Sequence, residues 1–194
     1  MWVDGAGGYL VCLGNTVTLG QANPNSIVDV PIFGDLSRNH ATIIRDGEGY
    51  LVRSQRDLWV NNRATSQATL RDGDIVRLGK AVELRFSLPC AVSETARLQL
   101  ISRHRLHLSL AGILLMADTC VLGSAGRSHV QAAAAAGQIV LYRQGDGLGC
   151  RGDETVEVDG QTYSSRGPVR LPARVTVGEL SFSLEPLSHP LSQV

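Results

Sequence analysis

Tyr9-Leu10-Val11-Cys12-Leu13-Gly14-Asn15-Thr16-Val17-Thr18-Leu19 holds two strand-length apolar pieces with a Gly-Asn turn between them. The β-branched and aromatic content of each piece suits a pleated chain, and Gly14-Asn15 supplies residues that reverse it cheaply. The same grammar continues outward. Ala41-Thr42-Ile43-Ile44 leads through the turn Asp46-Gly47-Glu48-Gly49 into Tyr50-Leu51-Val52-Arg53. Leu58-Trp59-Val60, Ile75-Val76-Arg77-Leu78 and Val82-Glu83-Leu84-Arg85-Phe86-Ser87-Leu88 follow. No stretch of this half keeps a 3.6-residue apolar period for a dozen residues, so helices are not expected. Many short strands at close spacing predict an all-β sandwich or barrel.

The second half repeats the plan. Glu83-Leu84-Arg85-Phe86-Ser87-Leu88 matches Glu179-Leu180-Ser181-Phe182-Ser183-Leu184, and Val17-Thr18-Leu19-Gly20 matches Cys120-Val121-Leu122-Gly123. His40-Ala41 is set against His129-Val130, with Gly49-Tyr50-Leu51-Val52 against Gly137-Gln138-Ile139-Val140 behind it. Val60-Asn61-Asn62 answers to Val158-Asp159-Gly160. Matches kept in one order suggest duplication. The expected division is a first sandwich over 1–90, a linker near 89–95, a second sandwich over 97–188 and a flexible tail at 189–194. Leu98, Leu100, Leu106, Leu108 and Leu110 alternate with polar residues, as the opening strands of the second unit should. The alanine run 132–136 is too short to nucleate a helix and is read as a strand or its loop.

Composition narrows the function. Of the 194 residues 43% are hydrophobic and 19% charged, enough for an ordinary core. The 18 basic and 18 acidic side chains cancel, nine against nine in residues 1–90, whereas a nucleic-acid binder usually shows a basic excess. The apolar run 111–117 is far too short to cross a bilayer, and the N-terminus lacks a basic stretch followed by an apolar one. Cys12, Cys90, Cys120 and Cys150 form no Cys-x-x-Cys pair, so reduced, buried thiols in a cytoplasmic protein are expected, with no metal and no cofactor.

The strongest local signal is Leu36-Ser37-Arg38-Asn39-His40-Ala41, with Leu19-Gly20-Gln21 before it and Leu70-Arg71-Asp72-Gly73-Asp74-Ile75-Val76-Arg77-Leu78-Gly79 after it. This order resembles the forkhead-associated (FHA) domain, with its Gly-Arg, Ser-Arg-x-His-Ala, Asn-Gly, Val-Asn and Leu-x-Asp-Gly-Asp elements. The resemblance covers residues 1–88. It implies a β-sandwich that binds phosphothreonine peptides through loops at one end. It would place Ser37 on the phosphate and Arg38 or Asn39 on a second contact, with Gly20, His40 and Asn61 shaping the loops. The chemistry of those side chains is suitable, since a phosphothreonine carries about −1.5 to −2 charges, which hydroxyl, backbone N–H and guanidinium donors can meet.

Gln21 stands where the family has a phosphate-facing arginine, and Arg56-Asp57 where it has Asn-Gly, so Arg56 becomes the candidate for the missing charge. In the second unit the loop's counterpart reads Gly126-Arg127-Ser128-His129, and the unit is expected to be structural. The expected function is therefore a non-catalytic adaptor for a protein partner, by phosphothreonine recognition through Ser37, Arg38, Asn39 and Arg56. The alternative is a phosphorylation-independent scaffold with a vestigial phosphate site. A hydrolase built on Ser37 and His40 would need an orienting carboxylate and an oxyanion hole that nothing in the sequence announces. His104 and His107 fall on opposite faces of a strand and cannot share a metal. Gly5-Ala6-Gly7-Gly8 precedes a strand and lacks the Lys-Ser/Thr of a nucleotide loop. Asp72 and Asp74 fit a tight turn in which carboxylates accept backbone N–H groups.

Overall fold

The computed structural model describes residues 1–187 except Asn25, Glu48, His107, Ala125 and 133–136. Most of the alanine run and the expected tail therefore lie outside the described residues. All regular structure among the described residues is strand. The first half lays down β1 (Trp2–Val3), β2 (Gly7–Cys12), β3 (Thr16–Gln21), β4 (Val30–Phe33), β5 (Ala41–Arg45) and β6 (Tyr50–Arg53). It continues with β7 (Leu58–Val60), β8 (Arg63–Ala64), β9 (Gln67–Leu70), β10 (Ile75–Leu78) and β11 (Val82–Ser87). Three strands follow in the middle of the chain, β12 (Ala96–Leu100), β13 (Arg105–Leu106) and β14 (Gly112–Leu115). Then come β15 (Thr119–Gly123), β16 (Val130–Gln131), β17 (Gln138–Gln144), β18 (Gly147–Gly152) and β19 (Val156–Val158). The last are β20 (Gln161–Tyr163), β21 (Arg166–Val169), β22 (Ala173–Val177) and β23 (Leu180–Leu184).

The strands form three sheets. A six-stranded sheet runs β13-β4-β3-β5-β6-β9 and a five-stranded sheet runs β16-β15-β17-β18-β21. Without β13, the two have one order, down to a parallel first pair, Leu19 on Val30 in one and Leu122 on Val130 in the other. The third sheet is continuous through twelve strands, β20-β19-β22-β23-β1-β2-β14-β12-β11-β10-β7-β8. Its two halves mirror each other about the parallel pair β2 and β14, in which Tyr9 lies beside Gly112 and Cys12 beside Leu115.

Alternation along those central strands places the two cores. Ile113 and Leu115 join the core that holds Leu19, Ile43, Leu84 and Phe86, whereas Leu114 and Met116 join the one that holds Leu122, Leu141, Val175 and Phe182. Successive side chains of a strand point to opposite faces, so the cores lie on opposite faces of the long sheet. Phe86 and Phe182 are fully buried at matching places in the two cores, and each contributes roughly 1.5–3 kcal/mol.

This pairing corrects the expected domain limits. β1 pairs with β23, Trp2 on Ser183 and Val3 on Phe182, so the first strands of the chain complete the second sandwich. β12 pairs with β11, Phe86 on Leu98, and Leu98 is buried in the first core. The strands expected to open the second unit thus complete the first, and 1–90 and 97–188 divide the sequence without dividing the sheet. The 89–95 segment joins adjacent antiparallel strands of one sheet. It is also pinned to the second sandwich, where the Ser93 and Thr95 hydroxyls donate to the Thr119 carbonyl at 2.8 and 2.7 Å.

Three of the five repeat matches hold, that of β3 with β15 among them, and two shift. Phe86 and Phe182 sit alike, and Val60-Asn61-Asn62 and Val158-Asp159-Gly160 both close hairpins with positive φ at both turn residues, 50° and 64° in one, 51° and 82° in the other. Such φ values give the type I′ turn that suits strand twist. His129-Val130, however, enters β16, the counterpart of β4, and not the start of β5 that follows His40. Gln138-Ile139-Val140 likewise opens the counterpart of β5, one strand earlier than Tyr50-Leu51-Val52.

Candidate functional site

The loop 37–40 arches over the end of β3. The Gln21 N–H donates to the Ser37 carbonyl at 3.0 Å and the His40 N–H to the Leu19 carbonyl at 2.9 Å. Between them the Arg38 carbonyl rests on Gly20, where an added Cβ would stand 1.9 Å from that oxygen. Only glycine permits so close an approach.

His40 is buried at 5% exposure and ties three segments together. The Ser37 N–H donates to Nδ1 at 3.2 Å, and Nε2 lies 3.0 Å from the Asp57 carbonyl and 3.2 Å from the Gly79 N–H. The Gly79 N–H also donates to that carbonyl, at 2.9 Å. Ser54 adds a link that sequence reasoning missed. Its hydroxyl donates to the His40 carbonyl and accepts the Arg56 N–H at 2.9 Å. Bonding to the residue two ahead is the local turn habit of serine, and Ser54-Gln55-Arg56-Asp57 carried that signal. Two loops, 37–40 and 54–57, are thereby held side by side by buried bonds.

The expected binding side chains project from these loops. Ser37 is half-buried, while Arg38, Asn39 and Arg56 are exposed, and none of the four side chains forms a hydrogen bond or ion pair among the described residues. Gln21 is half-buried, with its side-chain oxygen 3.5 Å from the Asn23 amide. Arg53, at the end of β6 beside Thr42, is a further exposed basic group near these loops that the motif gave no reason to single out. Asn61 lies farther along, where its side chain accepts the Ile75 N–H at 3.0 Å and donates to Asp74 at 2.7 Å. Asp74 also accepts the Arg71 N–H and Asp72 the Leu88 N–H, both at 2.8 Å, so these carboxylates serve turns. No group of three His, Cys, Asp or Glu side chains that could hold a metal occurs among the described residues.

Against this geometry the comparison with known proteins is specific. Residues 17–79, from β3 to the glycine whose N–H meets the Asp57 carbonyl, match the FHA domain. The chain belongs to the FHA-domain family. It is similar to the FHA-2 domain of the Mycobacterium tuberculosis ABC transporter Rv1747, solved by NMR, at 32% identity over 39% of this chain and 70% of that one, with a TM-score of 0.34. It is also similar to the FhaA FHA domain, crystallised with the intracellular domain of Rv3910, at 26% identity over 35% of this chain and 76% of that one, with a TM-score of 0.31. No curated protein sequence matches the chain.

Among its described residues the second sandwich does not repeat this arrangement. Gly126-Arg127-Ser128-His129 lies between β15 and β16, not between the strands that flank Ser37–His40 in the first. The true counterpart of the 37–40 loop is the β16–β17 connection, part of which is 133–136. His129 is fully buried and accepts the Val121 N–H on Nδ1 at 2.8 Å. Glu154 and Thr155 stand where the first sandwich has Arg56 and Asp57.

Proposed function

We propose that the chain is an FHA-type adaptor that docks on threonine-phosphorylated protein partners through the loop end of its first sandwich. The observation that carries this reading is the pairing of two loops by His40 and Ser54, which presents the Ser37 hydroxyl and the Arg38 and Arg56 guanidiniums without internal partners. A dianionic phosphate can accept from all three, and preorganised donors lose little freedom on binding. Asn39 is the further candidate contact, and Arg56 supplies the charge that Gln21 lacks.

Titration with a phosphothreonine peptide library and its unphosphorylated twin tests the proposal. Charge-assisted bonds contribute roughly 1.5–3 kcal/mol, so Ser37→Ala, Arg38→Ala and Arg56→Ala should each weaken binding about ten-fold or more. Arg127→Ala should leave it unchanged. Equal binding of the two libraries would overturn phosphate recognition. It would favour the second reading, a phosphorylation-independent scaffold, which the uncharged Gln21 at the edge of the site supports.

A further inference from the structure

On the second sandwich, Arg151 of β18 and Arg166 of β21 lie directly opposite each other across an antiparallel pair. They line an open pocket of about 330 Å³ with Gln138, Val140, Asp153 and Ser165. Opposed residues bring their Cβ atoms within about 5 Å, and like charges so placed repel. Neither guanidinium forms a hydrogen bond or an ion pair among the described residues, and the Asp153 carboxylate on the rim offsets one charge at most. The fold does not demand this repulsion. By register, the matching pair in the first sandwich is Arg53 opposite Gln67, with Thr42 where the second has Val140. The second sandwich therefore holds a doubled charge at a position where the first holds a single one.

We infer that Arg151 and Arg166 form a second anion site, which takes a dianionic phosphate group. Two planar guanidinium forks about 5 Å apart at their roots can converge on one tetrahedral anion, each giving paired N–H donors. Two positive charges match a phosphate monoester at roughly −1.5 to −2 better than a single carboxylate. The Gln138 amide and the Ser165 hydroxyl add neutral donors at the pocket wall. The site uses no residue of the first sandwich and stands whether or not Ser37 and Arg38 bind phosphate.

The test follows the amide resonances of Gly152 and Arg166 in the full chain carrying Ser37→Ala, Arg38→Gln and Arg56→Gln, which silences the other candidate site. The probes are inorganic phosphate, blocked phosphothreonine and acetate. Saturable shifts with the two phosphates and weaker binding of acetate are expected. Arg151→Gln and Arg166→Gln should each weaken phosphate about ten-fold. Equal affinity for the two phosphates assigns the site to the free ion, and tighter phosphothreonine assigns it to a modified side chain. Acetate binding as tightly as phosphate, or phosphate shifts that survive in Arg151→Gln/Arg166→Gln, would overturn the inference. A stability readout keeps the test independent of misfolding. Without phosphate the Arg166→Gln chain should melt no lower than its parent, and added phosphate should raise the melting temperature of the parent alone.

Discussion

The Ser37 N–H donates to Nδ1 of His40, so replacing the ring by an apolar group strands a partly buried donor. His40→Ala removes the bonds to Ser37 and Asp57 at once, at a cost of roughly 1–3 kcal/mol. Urea unfolding should show that loss without any ligand present, and an unchanged midpoint would remove His40 from the role of brace. His129 presents a different case. Burial pushes its pKa below the usual imidazole value, while the nearby Thr95 and Val121 backbone groups pull it partly back. Its Nε2 finds no hydrogen-bond partner of good geometry. The unfolded chain, with an ordinary histidine near 6.5, then binds the proton more readily than the folded one. Stability should therefore fall as pH drops through about 6.5, and level off below the depressed folded value. Melting temperatures of the wild type and His129→Gln should diverge below neutral pH, with the variant the less sensitive. Parallel curves would show that His129 does not govern the acid response.

At the scale of elements, strands and turns were plain in the sequence, and partners were not. Alternation along a strand shows which face is buried but never names the neighbour. β1 could pair with β11 or β23, and those carry Leu84-Arg85-Phe86-Ser87-Leu88 and Leu180-Ser181-Phe182-Ser183-Leu184, nearly the same surface. One signal did mark the join. The unbroken apolar run at 111–117 fits a strand covered on both faces, as parallel central strands usually are, and Ile113 to Met116 are all essentially buried. The first loop was legible because its residues sit in a fixed local pattern, Ser37 to His40, with Gly20 forced by contact. Ser54 could be read only as a turn former, because its acceptor, the His40 carbonyl, lies fourteen residues away. The His129 match failed because His40 precedes β5 whereas His129 precedes β16, the counterpart of β4, so aligning the two histidines slid the match by one strand.

For the molecule as a whole, each sandwich is finished by strands from the other half of the chain. The first sandwich lies almost wholly in 14–117, from β3 through β14, with Cys12 of β2 its one buried core residue outside that span. The segment 1–90 lacks β12 and β14, and it carries β1 and β2 away from β23 and β14, their partners. It would leave the core side chains Leu84 and Phe86 without the strand that now covers their edge, and the Tyr50 hydroxyl without the Leu115 carbonyl, 3.1 Å away. Cutting the chain at 117 exposes Leu114 and Met116, so the comparison is best made with Leu114→Thr and Met116→Gln, which keep that face of β14 polar. The 14–117 fragment so modified should melt cooperatively as a folded β protein. The 1–90 fragment should show no cooperative transition, because burying its core depends on strands it does not contain. If 1–90 melts as sharply as 14–117, β1 and β2 can take the places of β12 and β14. The exchange would then be a choice made by the full chain and not a requirement of its sequence.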